Sequence, residues 1–217
     1  MDDLVQRLLK LDTCAVSDAS DRLGVTTVAL GIAPTAPPAK IGGRVVTMKL
    51  VDRTPENAAT TTHLGTRAIA AAAAGDVIVI QHGRLDAAGW GGILSAAAKT
   101  KGVAGAIVDG AARDVDEARE LEFPVFARAA VPLTARGRIV EASFNQPIEI
   151  AGIAVSPGDY VLADGSGVCL IAAAQAAAII TAAETIAARE AKMKEAVLAG
   201  DSVVEVMGRD YETMLSR

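Results

Sequence analysis

Aromatic residues are scarce: 3% of the 217-residue chain, with one tryptophan, two tyrosines and three phenylalanines. A core so built gains little per side chain and fills its volume by bringing elements close together. The two cysteines, Cys14 and Cys169, lie far apart in neither a CxxC nor a zinc spacing. That excludes a disulfide framework and fits a cytoplasmic protein. With only His63 and His82 present, an HExxH zinc site is impossible. Positive charge is also short: 21 Lys and Arg against 26 Asp and Glu, a net −5, with Lys99 and Lys101 as the longest basic cluster. Polyphosphate recognition needs a basic face, so no nucleic-acid partner is expected. The opening MDDLVQRLLK carries acids where a secretion signal carries bases. Gly165 to Ala183 lacks charge but holds Gly165, Ser166, Gly167, Gln175 and Thr181, so it reads as a buried strand (Val168 to Ile171) entering a helix and not as a membrane span. A Gly-Lys-Ser/Thr phosphate loop, a GxGxxG after a strand and a GxSxG elbow are all missing.

What is present is apolar and small. Hydrophobic residues make up 51% of the chain, and about a fifth of it is alanine. A mean hydropathy of +0.34 implies that some apolar surface is covered between subunits. Helical spacing is read for the opening DDLVQRLLKL and for Ala15 to Leu23, ended by Gly24. Pro34, Pro37 and Pro38 mark an irregular loop. Strands are expected at Arg44–Asp52, Asp76–Gln81, Val103–Val108 and Pro124–Ala127, and helices at Asn57–Ala74, Ile93–Lys101 and Arg113–Leu121. AGWGG (residues 88 to 92) and Asp109-Gly110 read as turns. This is a β-α-β-α-β run with parallel pairing. Residues 138 to 171 read as an antiparallel meander, followed by a helix from Ala174 to Leu198 and a short piece around Ser202 to Met207. The expectation is one α/β domain over residues 1–217: N-terminal helices at about 1–24, a core at about 40–172 and a C-terminal helical arm at about 174–217.

Two places suit an anion. The Gly91-Gly92-Ile93-Leu94 turn opens a helix, where close backbone approach and free N–H groups can hold a carboxylate. Arg113-Asp114 follows the strand AIVDG, at the kind of strand-to-helix junction where α/β sheets place ligands. Arg113 can fork onto a carboxylate or keto oxygen, and Asp114 can hold a hard cation that keeps its water. Taken alone, an Arg-Asp pair is more often an ordinary helix start, favoured by the dipole.

The segments Trp90-Gly91, GVAGAIVDGAARD (Gly102 to Asp114), FPVFAR (Phe123 to Arg128), PGDYVLADGSGV (Pro157 to Val168) and AAREAKMKE (Ala187 to Glu195) resemble the RraA-like family. That family includes regulators of ribonuclease activity A and the divalent-metal-dependent aldolases of 4-hydroxy-4-methyl-2-oxoglutarate and 4-carboxy-4-hydroxy-2-oxoadipate. The resemblance implies a swivelling β/β/α domain, like the phosphohistidine domain, assembled as a homotrimer or hexamer with its site between subunits. It implies that Arg113 polarises a keto group, that Asp114 ligates Mg2+ or Mn2+, and that the amides after Gly91-Gly92 cradle a carboxylate. A glutamate of the last helix would reach the neighbouring site; Glu190 is the best match, ahead of Glu184 and Glu195.

One departure matters. The aldolases carry an aspartate with 20 residues between it and the arginine, and here that position is Gly92. The reading is therefore a metal-dependent lyase that cleaves a carbon–carbon bond of a 2-oxo acid through a pyruvate enolate. Decarboxylation of a substrate such as oxaloacetate tolerates Gly92 better than aldol cleavage, because it needs no base for a hydroxyl proton. The alternative is a non-catalytic regulator that binds a ribonuclease. A methyltransferase is disfavoured by the missing cofactor fingerprint. His63 is a candidate acid or base. His82, Arg84 and Asp86 are candidates for a pocket wall, and Trp90 for a packing anchor beneath the turn.

Overall fold

The computed structural model describes residues 2–35, 40–59 and 63–208. Two short helices open the chain, α1 (Asp3–Leu8) and α2 (Thr13–Arg22), and the carboxylates of Asp2 and Asp12 cap their first amides. Then come β1 (Ala33–Pro34), β2 (Ile41–Asp52), α3 (Thr66–Ala71), β3 (Val77–Gln81), β4 (Ala88–Trp90), α4 (Gly92–Lys101), β5 (Gly105–Ala112), α5 (Val115–Glu120) and β6 (Val125–Ala130). The second half supplies β7 (Ile139–Phe144), β8 (Ile148–Ile150), β9 (Ile153–Val155), β10 (Tyr160–Asp164), β11 (Gly167–Ile171), α6 (Ala173–Leu198) and α7 (Val203–Val206).

Nine strands form one sheet in the order β1-β6-β5-β3-β2-β10-β11, with β4 also on β5 and β7 also on β2. The pairs among β2, β3, β4, β5 and β6 are all parallel, and those involving β1, β7, β10 and β11 are antiparallel. The segment before β1 joins the two edges: Ala29 donates to the Val168 carbonyl and Leu170 to that of Thr27, while Ala33 and Pro34 pair with β6. The sheet is thereby nearly closed. Its interior holds Val77, Val79, Ile107, Phe126 and Val161, covered by Ile148, Ile150 and Val155 of the β8–β9 hairpin. On the outside, Ile78, Ile80, Ala106 and Val108 face α3, α4 and α5, and Tyr160, Leu162 and Ile171 face α1, α2 and α6. Burial on both faces explains why DVIVIQ reads as an unbroken apolar run. The mixed α/β architecture and the long last helix are as the sequence implies.

Four local expectations are corrected. The helix expected over 57–74 forms only at Thr66–Ala71. Gly65 has a left-handed backbone (φ 78°), its N–H donates to the buried Glu141 carboxylate, and the Asp76 side chain accepts from Ala73 beyond the helix end. Residues 60–62 of that expected helix lie outside the described residues. Ala88–Trp90 is a strand beside β5, not part of a turn. Asp109-Gly110 also continues β5: Arg128 and the Ala151 amide take the Asp109 carboxylate, and a Cβ on Gly110 would lie 2.8 Å from the Arg84 carbonyl oxygen. Residues 138–171 are not one meander. Instead β7 and β10 each join β2, and β8–β9 stands as a separate two-stranded sheet. Of the proline loop, Pro34 lies in β1, and Pro37 and Pro38 fall outside the described residues.

Candidate functional site

β4 and β5 run parallel, with Trp90 opposite Ala112, and the Arg113 amide donates to the Trp90 carbonyl at 2.9 Å. The ladder therefore brings the chain leaving β4 (Gly91-Gly92) beside the chain leaving β5 (Arg113-Asp114). Both sit at carboxyl ends of parallel strands, where helix starts converge.

Arg113 and Asp114 are not the first residues of a helix, as expected from sequence; α5 begins at Val115. Asp114 has a left-handed backbone (φ 55°, ψ 41°), a conformation aspartate adopts more readily than most residues. Its carboxylate caps no amide of its own helix. It crosses to α4 instead, where Oδ2 accepts from the Gly92 amide at 2.9 Å and from Arg113 Nε at 3.1 Å. Partial burial works to raise the Asp114 pKa, but the Gly92 and Arg113 hydrogen bonds outweigh it and hold the carboxyl below its usual range. Oδ1 of Asp114 and the terminal nitrogens of Arg113 have no partner among the described residues.

The Gly92 amide itself is taken by Asp114, so the amides left for a ligand at this turn are those that follow it. The Ile93 and Leu94 amides follow in the first turn of a ten-residue helix, with no intrahelical acceptor and no cap from Gly91. They remain available to an anion. The Ile93 side chain is exposed and that of Leu94 is buried against the core.

Glu117, absent from the sequence reading, belongs to this constellation. A Cβ built on Gly91 would lie 2.8 Å from Asp114 Oδ2, and one built on Gly92 would run into the Glu117 carboxylate, 2.7 Å from Oε1 and nearer still to Oε2. Each glycine thus leaves room for one carboxylate. No hydrogen bond or ion pair engages the Glu117 side chain among the described residues. The available signal was its place three residues after Asp114, a spacing that sets two side chains on one side of a helical turn.

The oxygens of Asp114 and Glu117 are hard donors and suit a cation that keeps most of its water, as Mg2+ does. Among the described residues no group of three or more His, Cys, Asp or Glu side chains converges as a complete cage. His63 is exposed, its Nδ1 3.2 Å from the Leu64 carbonyl oxygen. It precedes Gly65, where a Cβ would meet Leu94 and Trp90, so its loop abuts the first turn of α4. No hydrogen bond or ion pair joins it to Arg113 or Asp114. Glu190 stands apart on α6, lining a cavity of about 320 Å3 with Met193, Val197 and Val206. Partial burial raises its pKa, and Asp18 and Asp12 add to the effect. His82 is buried, with Nε2 2.6 Å from the Ala87 carbonyl oxygen. Arg84 pairs with Asp52 and Asp86 on the outside of that loop.

The model of the RraA-like family, described as Aldolase/RraA, matches residues 13–170. The chain belongs to the RraA-like family. It is 30% identical over 212 residues to the protein DlpA of Legionella pneumophila, an alignment covering 97% of the chain but only 34% of that longer protein. It is 32% identical over 170 residues to a protein of Halalkalibacterium halodurans named as a putative 4-hydroxy-4-methyl-2-oxoglutarate aldolase, covering 78% of the chain and 76% of the relative. A crystal structure of an uncharacterized Pseudomonas syringae protein superposes with a TM-score of 0.84 at 27% identity, over 94% of this chain and 96% of that one. The RNA-processing inhibitor RraA of Thermus thermophilus does so with a TM-score of 0.58 at 29% identity, over 72% and 91%. No helix among the described residues is long and apolar enough to cross a membrane.

Proposed function

We propose that this RraA-like chain is a divalent-cation-dependent lyase that cleaves a carbon–carbon bond of a 2-oxo acid to release pyruvate. The observation that carries the reading is the convergence of Arg113, Asp114 and Glu117 on the Gly91-Gly92 turn, beside two free helix-start amides. Relatives named as 4-hydroxy-4-methyl-2-oxoglutarate aldolases support it.

The Ile93 and Leu94 amides bind the substrate carboxylate, and the free end of the Arg113 guanidinium takes the 2-oxo oxygen. Asp114 and Glu117 are the residues that would hold Mg2+ or Mn2+. When bound, the cation supplies Lewis acidity and lowers the pKa of its waters. In aldol cleavage Glu117 accepts the proton of the C4 hydroxyl as the C3–C4 bond breaks and its electrons pass into the pyruvate enolate. The proton then returns to C3. In decarboxylation of oxaloacetate the same C3–C4 bond breaks, CO2 leaves and no hydroxyl proton moves. Arg113 stabilises the enolate oxygen in both. With Glu117 in place, the Gly92 position no longer argues against the aldol reaction.

The site is completed in a homotrimer or hexamer, in which Glu190 of one chain approaches the Arg113 of another. The substrate is a small soluble acid, and the protein acts in the cytoplasm. His63 stands by as an additional acid or base at the loop beside α4. The similarity to the Thermus RNA-processing inhibitor favours the second reading, a regulator that binds a ribonuclease. A pyruvate-release assay on 4-hydroxy-2-oxo acids and oxaloacetate, with Mg2+ or Mn2+ and then with chelator, decides between them. Cation-dependent release supports the lyase. No release from any of these, together with inhibition of a ribonuclease, supports the regulator. Light scattering that finds a 22 kDa monomer would remove the role given to Glu190.

A further inference from the structure

We infer that Ser95 and Trp90 act as a positioning pair that sets the carboxylate-binding turn. Three hydrogen bonds converge on one side of it. The Trp90 indole Nε1–H donates to Ser95 Oγ at 3.0 Å, and Ser95 Oγ–H donates to the Gly91 carbonyl at 3.2 Å. The Ser95 amide donates to the same carbonyl at 3.0 Å. Both side chains are sealed from water, Trp90 at 2% exposure and Ser95 at 1%. A serine in the first turn of a helix needs no burial to be tolerated, and burying its hydroxyl is unfavourable unless both of its roles are filled. Here both are filled, as acceptor from the indole and donor to the turn.

The consequence is geometric. Drawing the Gly91 carbonyl into the helix turns the Gly91–Gly92 peptide so that the following N–H groups point out of the helix start. The other side of the same turn is held by Asp114 on the Gly92 amide and by the Arg113 amide on the Trp90 carbonyl. Trp90 is itself fixed by stacking on Phe123, with ring centroids 6.3 Å apart at 17°. The residue that carries the backbone into the turn therefore also braces it from below, through Ser95. The pair touches no reacting atom, so its contribution is to carboxylate binding and not to the chemical step.

The inference rests on the proposed lyase reading, and the test separates the two. Trp90 is the only tryptophan of the chain, so its emission reports the relay directly. Pyruvate is titrated with Mg2+ into the intact protein, followed by calorimetry and by Trp90 emission, beside steady-state turnover of oxaloacetate. Wild-type protein that neither binds pyruvate nor turns over a 2-oxo acid defeats the lyase reading itself. Given wild-type binding, Ser95→Ala should shift Trp90 emission and weaken pyruvate by about threefold to tenfold, the net worth of a neutral hydrogen bond. The loss should fall in KM more than in kcat. Trp90→Phe keeps the Ser95-to-Gly91 bond and should lose less affinity than Ser95→Ala, which covers the case in which Ser95→Ala fails to fold. A folded Ser95→Ala protein that binds pyruvate as the wild type does overturns the inference, as does a loss confined to kcat. If only Trp90→Phe folds, unchanged pyruvate affinity in it does the same.

Discussion

The Glu117 carboxylate occupies the space that a side chain at Gly92 would need, with Oε1 2.7 Å from where its Cβ would lie. The two positions are therefore alternatives: a carboxylate can come from α5 or from the first residue of α4, but not from both without displacement. Gly92 does not have a positive φ, so backbone strain does not bar an aspartate there; the obstacle is Glu117. Gly92→Asp alone should lower activity by displacing Glu117, with the melting temperature close to that of the wild type, because the displaced carboxylate is the exposed end of a flexible side chain with no partner among the described residues. Gly92→Asp combined with Glu117→Ala should recover aldol cleavage relative to Glu117→Ala alone. Pyruvate release and thermal melts of the three variants check this; a fully active Gly92→Asp single variant would contradict the steric account.

Glu117→Gln keeps the shape and removes the charge. If Glu117 accepts the C4 hydroxyl proton, aldol cleavage should fall by about 10²–10⁴-fold, the usual contribution of a positioned acid–base group. Decarboxylation of oxaloacetate should fall less, because no hydroxyl proton moves. Glu117 is exposed and engages no partner, so the melting temperature should stay close to that of the wild type. Equal losses in both reactions would show that Glu117 serves only the cation.

Asp114→Asn tests the cation. Asparagine tolerates the left-handed backbone at this position and can still accept from the Gly92 amide, so the turn should persist. Activity and its response to added Mg2+ should disappear together. Cation-dependent turnover at the wild-type level in this variant would show that Asp114 only braces the turn.

His82 should make the protein less stable in mild acid. Burial pushes its pKa below the usual 6.5, and Arg84 adds to that, against the opposing bond to the Ala87 carbonyl. Below about pH 6.5 the unfolded chain then binds more protons at this residue than the folded one. The stability is complete above pH 6.5 and declines as the pH falls towards the depressed folded value, by at most about 1.4 kcal/mol per pH unit. Melting temperatures between pH 7.5 and 5 should show a shallower decline in His82→Gln than in the wild type. Parallel curves would assign the acid sensitivity to other groups.

Some of this was legible in the sequence by itself. The elements with strong local signals, such as DVIVIQ as a doubly buried strand and the long last helix, follow from apolar period and length. Gly91-Gly92 and Arg113-Asp114 are also legible as two anion-friendly places, each at the start of a helical segment. Tertiary structure alone decided how those two places meet. Asp114 turns from its own helix to the Gly92 amide because β4 and β5 lie side by side, a pairing no local pattern records. Asp109-Gly110 runs on as strand because Arg128 and Ala151, distant in sequence, engage the side chain that would otherwise favour a turn. Glu117 joins the constellation because Gly92 lacks the atoms that would exclude it, a volume that exists only once α4 and α5 are packed. Local propensity is written residue by residue along the chain. The space left between two packed elements belongs to neither segment, and only the folded arrangement defines it.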